Sequence, residues 1–190
     1  MIRIRDNYKE YAPPAYAHVT IAKLLFNLPT RYLSGLQCVV LTNATAVGKG
    51  KTNRVKGRKY LRQDCRGFYH PKANREEPWI EIVVDNIVAS VPTAGIPRLL
   101  WRIPLFREIY FARTLFHEIG HHLDHIIGPL ARGSEATAEA GEKRLLGLYL
   151  RKTYWYLVPF VRFFLRPIFS YLRAIFDRRN AKAQATEKAS

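Results

Sequence analysis

The chain has only two cysteines, Cys38 and Cys65, too few for a disulfide framework or a cysteine-built zinc centre. Both are expected as reduced thiols, with a single bridge between them as the other reading. No run of about 18 uncharged apolar residues occurs, which excludes a conventional membrane-spanning helix. The opening MIRIRDNYKEYAPPAYAH is charged throughout and lacks the apolar stretch of a secretory leader, so a cytoplasmic location is expected. There is no internal repeat. Acidic residues are scarce: 15 Asp and Glu face 31 Lys and Arg, a formal net charge of +16. That imbalance favours phosphate-bearing partners, anionic lipid or nucleic acid, and says nothing about fold.

What is present suffices for a core. Apolar residues make up 48% and charged residues 24% of 190 positions, which excludes global disorder and suits one compact domain with an extension. A short helix is expected from Pro14 to Asn27, with Ala15, Val19, Ala22 and Phe26 on one face. Leu36 to Thr42 reads as a buried strand. Asn43 to Arg62, rich in Gly, Lys and Arg without apolar periodicity, reads as a mobile basic loop. Further strands are expected from Cys65 to His70 and from Trp79 to Asp85, the second partly exposed on one side. A long helix should begin at Pro104 or Leu105 and stop at Gly128-Pro129. Ser134 suits the N-cap of another, with Leu145, Leu148 and Tyr149 on its apolar side.

The long helix carries His117-Glu118-Ile119-Gly120-His121, an H-E-x-x-H string. Four residues is slightly more than one turn, so both imidazoles leave one face and can share a metal, while Glu118 can reach a metal-bound water. Ile109, Ala112, Leu115, Phe116, Ile119, Leu123 and Ile126 fall on the opposite side; Phe106 and Phe111 fit that pattern less well. A catalytic zinc takes three protein ligands and leaves a position for water. His125 lies two turns from His117, too far along one straight helix. The next helix, opening Glu135-Ala136-Thr137-Ala138-Glu139, is the better source.

Here the sequence resembles the gluzincin metallopeptidases, in which H-E-x-x-H is followed by a helix bearing E-x-x-x-D or E-x-x-A-D. The resemblance implies His117, His121 and Glu135 as zinc ligands and Glu118 as general base. It places Glu139, where the family often has Asp, in a hydrogen bond to the first histidine; Glu139 is also the alternative third ligand. The element order from Pro14 to Leu150 resembles small single-domain minigluzincins, though only the zinc signature is specific. In such folds the last strand before the active helix aligns an extended peptide at its edge. That strand would be Trp79, Ile80, Glu81, Ile82 and Val83, with an ordinary solvent-facing edge as the other reading. Zinc would acidify its water and polarise the scissile carbonyl, with Glu118 moving the proton. Tyr69, Tyr110, His122, His125 and Tyr149 are conceivable donors to the tetrahedral intermediate. Asp124 could orient a histidine or simply face solvent.

Gly48-Lys49-Gly50-Lys51-Thr52 ends in G-K-T, but a phosphate loop needs glycine where Thr45 stands, and no helical pattern follows. From Leu145 to Arg179 the chain is aromatic, broken at Pro159 and Pro167, with Arg162, Arg166 and Arg173 in a narrow stripe. Such a segment either lies on an anionic membrane surface or packs as a structural helix.

The expectation is therefore an α+β zincin-like domain over 1–150 with a three-stranded or slightly larger sheet, an active-site helix and a glutamate helix. An amphipathic aromatic and basic helical extension follows over 151–180, then a flexible tail over 181–190. The expected function is zinc-dependent peptide-bond hydrolysis, with a membrane surface as one setting for it. The rivals are a non-catalytic zinc-binding interaction protein and a nucleic-acid-associated protease.

Overall fold

The computed structural model describes residues 2–48, 52–55, 58–73, 76–91, 96–127 and 135–156. The chain divides into two units, Met1–Tyr149 and Leu150–Ser190. The architecture is mixed α and β. In chain order the elements are β1 (Arg3–Asn7), α1 (Tyr16–Asn27), β2 (Cys38–Thr42), α2 (Ala44–Val47), β3 (Thr52–Val55) and β4 (Arg58–Leu61). There follow β5 (Gly67–His70), β6 (Trp79–Val83), α3 (Val84–Ala89), α4 (Ile96–Leu100), α5 (Pro104–Ile127) and α6 (Glu135–Thr153).

Four strands form the main sheet in the order β1-β2-β6-β5. The β1–β2 and β2–β6 pairs are parallel, and β5 runs antiparallel to β6. Alternation along each strand puts Val39, Leu41, Ile80 and Ile82, all fully buried, on one face with Gly67 and Tyr69. Helix α5 lies against β5 and β6, and α1 packs on α5. The other face carries a smaller core of Val47, Phe68 and Val83, with Ala44 and Cys65 beside it. Both cysteines are free, and Cys38 is buried.

Two long-range contacts tie α1 and α6 to α5. The buried Glu108 carboxylate accepts from Lys23 Nζ at 2.6 Å and from the Tyr149 hydroxyl at 2.6 Å. A carboxylate this far out of water needs such partners, because an uncompensated buried charge is expensive.

Several expectations need correction. Trp79–Val83 is no edge: it is hydrogen-bonded to β2 on one side and β5 on the other. The polar residue that made it look half-exposed, Glu81, is itself buried, with His70 Nε2 at 3.1 Å from its carboxylate. Helix α1 turns its other side inward. Ala17, Ile21, Leu24 and Leu25 are buried, whereas Val19 and Phe26 are 66% and 72% exposed. Phe111 on α5 is fully buried and meets Tyr16 edge-on at 6.3 Å, while Ile126 is 53% exposed. The basic stretch is not a structureless loop, since β3 and β4 pair as an antiparallel hairpin with Thr52 opposite Leu61 and Val55 opposite Arg58. β-Branched and aromatic residues flanking a two-residue Lys-Gly separation favour that pairing. Strand β1 was not anticipated from the charged N-terminal sequence.

In the second unit the described residues are 150–156. Tyr154 N–H donates to the Leu150 carbonyl at 2.8 Å, and Trp155 and Tyr156 are exposed. The remainder of the expected extension and tail, from residue 157, lies outside the described residues, as does Ser134. No helix among the described residues is long and apolar enough to cross a membrane.

Candidate metal centre

Helix α5 begins at Pro104, whose missing N–H costs nothing in a first turn, and continues for 24 residues. Its length carries His117 and His121 out on one face beneath the sheet. Their ring centroids are 4.9 Å apart with planes at 88°. Glu135, the first residue of α6, faces both: its Oε2 is 3.4 Å from His117 Nε2 and its Oε1 is 3.8 Å from His121 Nε2. One ligand atom from each of the three lies within 4.8 Å of the others. Among the described residues this is the one group of three or more His, Cys, Asp and Glu placed to hold a metal.

The approach of α6 depends on small residues. A Cβ on Gly120 would stand 2.7 Å from the Ala138 carbonyl oxygen and 2.8 Å from its Cα. A Cβ on Gly141 would meet Gly120 Cα at 3.0 Å. The glycine inside H-E-x-x-H thus lets the glutamate helix cross at backbone contact, and Glu135, one turn before Ala138, reaches the imidazoles.

This donor set could hold a metal ion. Tetrahedral coordination with bonds of about 2.0–2.2 Å sets donor atoms roughly 3.3–3.6 Å apart. The Glu135 oxygens stand 3.4 and 3.8 Å from the two Nε2 atoms and the three donor atoms lie within 4.8 Å of one another, so a bound ion would draw them somewhat closer together. Two neutral imidazoles and a carboxylate are also a combination typical of hydrolytic zinc. Burial and the neighbouring His117 hold His121 below the usual imidazole pKa, which keeps its lone pair available.

Glu118 is buried beside the triad, close to the backbone of Tyr69. Burial raises its carboxyl to about 8, with the Glu135 charge adding and the Tyr69 backbone opposing. Strand β5 passes close above it: a Cβ on Gly67 would come within 3.1 Å of both Glu118 Cγ and Oε1, and 2.8 Å from Thr114 Cγ2. Because the Val83 N–H donates to the Arg66 carbonyl at 2.8 Å, residues 66, 68 and 70 direct their backbone groups toward β6. Gly67 and Tyr69 therefore direct theirs to the outer edge of β5. An open cavity of about 340 Å³ lies between Cys65–Gly67 and the Arg113, Thr114 and His117 side of α5. A larger one of about 730 Å³, beside β1 and α1, is lined mainly by apolar side chains such as Ile4 and Phe26 and has none of this chemistry.

The structure thus brings together His117, Glu118, His121 and Glu135. It does not place Glu139 as expected. Glu139 is exposed, and the carboxylate at the first histidine is Glu142, whose Oε2 is 3.6 Å from His117 Nδ1. Glu142 follows Glu135 by seven residues, two helical turns, so its face was legible in the spacing. Trp79 to Val83, paired on both edges, have no backbone edge to offer a peptide.

Most of the conceivable oxyanion donors have structural duties. Tyr149 donates to Glu108. His122 is fully buried, and burial lowers its pKa. Its Nε2–H donates to the Ser34 carbonyl at 2.9 Å, which leaves Nδ1 to accept from the Tyr69 hydroxyl at 3.3 Å. Tyr110 packs edge-on against Trp101 at 5.3 Å. His125 is exposed, with its ring 5.7 Å from that of Tyr69. Asp124 is buried, and its charge favours the protonated form of His121.

Comparison of the chain with protein-family models, with curated proteins and with solved structures gives no match.

Proposed function

We propose that this chain is a zinc-dependent metallopeptidase of the gluzincin type, with His117, His121 and Glu135 as ligands and Glu118 as general base. The observation that carries the reading is the convergence of two imidazoles and Glu135 beside a separate, buried carboxylate. A purely structural metal site has no use for that second group.

Zinc bound there supplies a Lewis acid for the scissile carbonyl and acidifies water. The protein's own residues do the rest. Glu118, buried beside the triad, is positioned to take a proton and pass it to the departing amine. Burial raises its carboxyl to about 8, and a cation at the triad would draw it downward, toward the ionised form a general base needs. An extended peptide laid along the outer edge of β5 meets the backbone groups of Gly67 and Tyr69, which brings a peptide bond over Glu118. A substrate side chain then enters the cavity beside Thr114 and Arg113. The absence of a Cβ at Gly67 is what leaves Glu118 room beneath the strand.

The test is cleavage of a peptide library by the wild type, by the wild type after chelation and by Glu118→Gln. Cleavage lost on chelation, restored by zinc and missing in Glu118→Gln supports the reading. Cleavage that survives in Glu118→Gln removes the general base from it.

A further inference from the structure

We infer that the sheet face turned away from α5 is a docking site for single-stranded nucleic acid, with Trp79 as its stacking platform and Arg3 and Arg5 as its phosphate contacts. The inference is independent of the metal centre, which belongs to the α5 side of the sheet.

Strand register builds the surface. Arg3 pairs with Cys38 and Cys38 with Trp79, while Arg5 pairs with Val40. These side chains therefore share the face opposite the buried Val39, Leu41, Ile80 and Ile82. The small core of Val47, Phe68 and Val83 occupies one end of that face. Beyond it, a cavity of about 430 Å³ is lined by Trp79, Cys38, Val40, Arg5, Asn7 and Gln37. Ligand cavities usually measure about 300–1,000 Å³.

Trp79 is held ready for stacking. Its indole lies against the His70 ring with centroids 3.7 Å apart and planes 5° from parallel. His70 Nε2 in turn meets the buried Glu81 carboxylate at 3.1 Å, which fixes the imidazole. His70 comes from β5, so the second face of the indole looks the other way, across β2 toward β1. β1 and β6 are two strand spacings apart, about 9.6 Å. A planar base in contact with the indole takes up about 3.5 Å of that gap, and the small Cys38 side chain leaves it room. Asp6 and Glu76 also line the cavity and, with Asn7 and Gln37, offer hydrogen-bonding groups to the edge of a base.

β1 supplies the charge. Arg3 and Arg5 are exposed, and neither has a carboxylate partner among the described residues. Two positions apart on one strand, they are spaced by about 6.6 Å, which suits successive phosphates of an extended strand better than one phosphate. The net charge of +16 adds a long-range attraction for a polyanion. A slot for a flat ring beside paired cations also suits a strand better than a bilayer, which takes up protruding apolar side chains.

The test is fluorescence anisotropy of the full chain with a labelled deoxyadenylate strand of about 12 nucleotides, titrated at several salt concentrations. The wild type should prefer this strand to a duplex of equal length. Trp79→Ala should weaken binding about 5–150-fold and leave the salt slope unchanged. Trp79→Phe, which keeps a ring against His70, should restore most of the affinity. Arg3→Gln combined with Arg5→Gln should lower the salt slope by about 1.4, two phosphates at about 0.7 each. Arg144→Gln, exposed on α6, controls for net charge and should leave the affinity and the slope near wild type. No binding by the wild type, equal binding of duplex and single strand, or displacement of the strand by equimolar adenosine monophosphate would overturn the inference. So would wild-type strand affinity in Trp79→Ala, and if that variant lost phosphatidylserine vesicles instead, the face would be a membrane contact.

Discussion

Replacing Gly120 by alanine should damage the metal centre without touching a ligand. The added methyl would sit 2.7 Å from the Ala138 carbonyl oxygen and 2.8 Å from its Cα. Comfortable carbon–carbon contact begins near 3.5 Å, and backbone atoms cannot swing aside, so α6 must retreat by about 0.7 Å. Glu135 lies one turn before Ala138 and moves with it. Its carboxylate oxygens, now 3.4 and 3.8 Å from the two Nε2 atoms, would shift by several times the roughly 0.2 Å that metal bonds tolerate. Zinc affinity should fall at least about tenfold, or about 1.4 kcal/mol. Fold stability responds differently. Alanine gains about 1 kcal/mol over glycine inside a helix, whereas overpacking costs about 1–3 kcal/mol. Metal-free Gly120→Ala should therefore lose only about 0–2 kcal/mol. Gly147→Ala on α6 is the control, since its Cβ would meet nothing within 4 Å. It should keep zinc binding and gain up to about 1 kcal/mol. The assays are chelator competition for zinc and thermal unfolding of the metal-free proteins. Wild-type zinc affinity in Gly120→Ala would refute the reasoning that this crossing places Glu135.

Three further outcomes follow from the same geometry. Gly67→Ala puts a methyl 3.1 Å from Glu118 Oε1, so peptide cleavage should drop while zinc affinity holds; parallel kinetics and zinc titration would show it. Glu108→Ala removes the acceptor for Lys23 and for the buried Tyr149 hydroxyl. It should cost about 1.5–3 kcal/mol in denaturant unfolding, with no effect on zinc affinity. Added zinc should raise the unfolding midpoint of the wild type, by about 2.7 kcal/mol of stability at a hundredfold excess over its dissociation constant. Glu135→Ala should respond much less in the same thermal scan.

The long helix and its two histidines were legible because periodicity, a proline start and the H-E-x-x-H spacing all describe one segment. Local signals of that kind survive without tertiary context. Glu135 was identified through the resemblance, but the reason it reaches the site, contact at Gly120, Ala138 and Gly141, involves residues distant in sequence. Glu139 and Glu142 lie on similar faces of α6, and only the crossing of the two helices decides which one meets His117. The expectation of an edge at Trp79–Val83 fails for a related reason. Glu81 mimics a solvent-facing residue in the sequence, whereas its partner His70 comes from the neighbouring strand. On α1 the sequence offers apolar residues on both sides, and only packing on α5 decides that Ala17, Ile21, Leu24 and Leu25 face inward. β1 was hidden by its charges, as expected of an edge strand with little buried surface.

The most direct measurement is zinc stoichiometry of the purified wild type beside Glu135→Ala and Glu118→Gln, with peptide cleavage followed on the same samples. The account predicts near-equimolar zinc in the wild type and Glu118→Gln, depleted zinc in Glu135→Ala, and cleavage by the wild type alone. A wild type that binds no zinc, or one that cleaves equally well without it, would contradict the central claim.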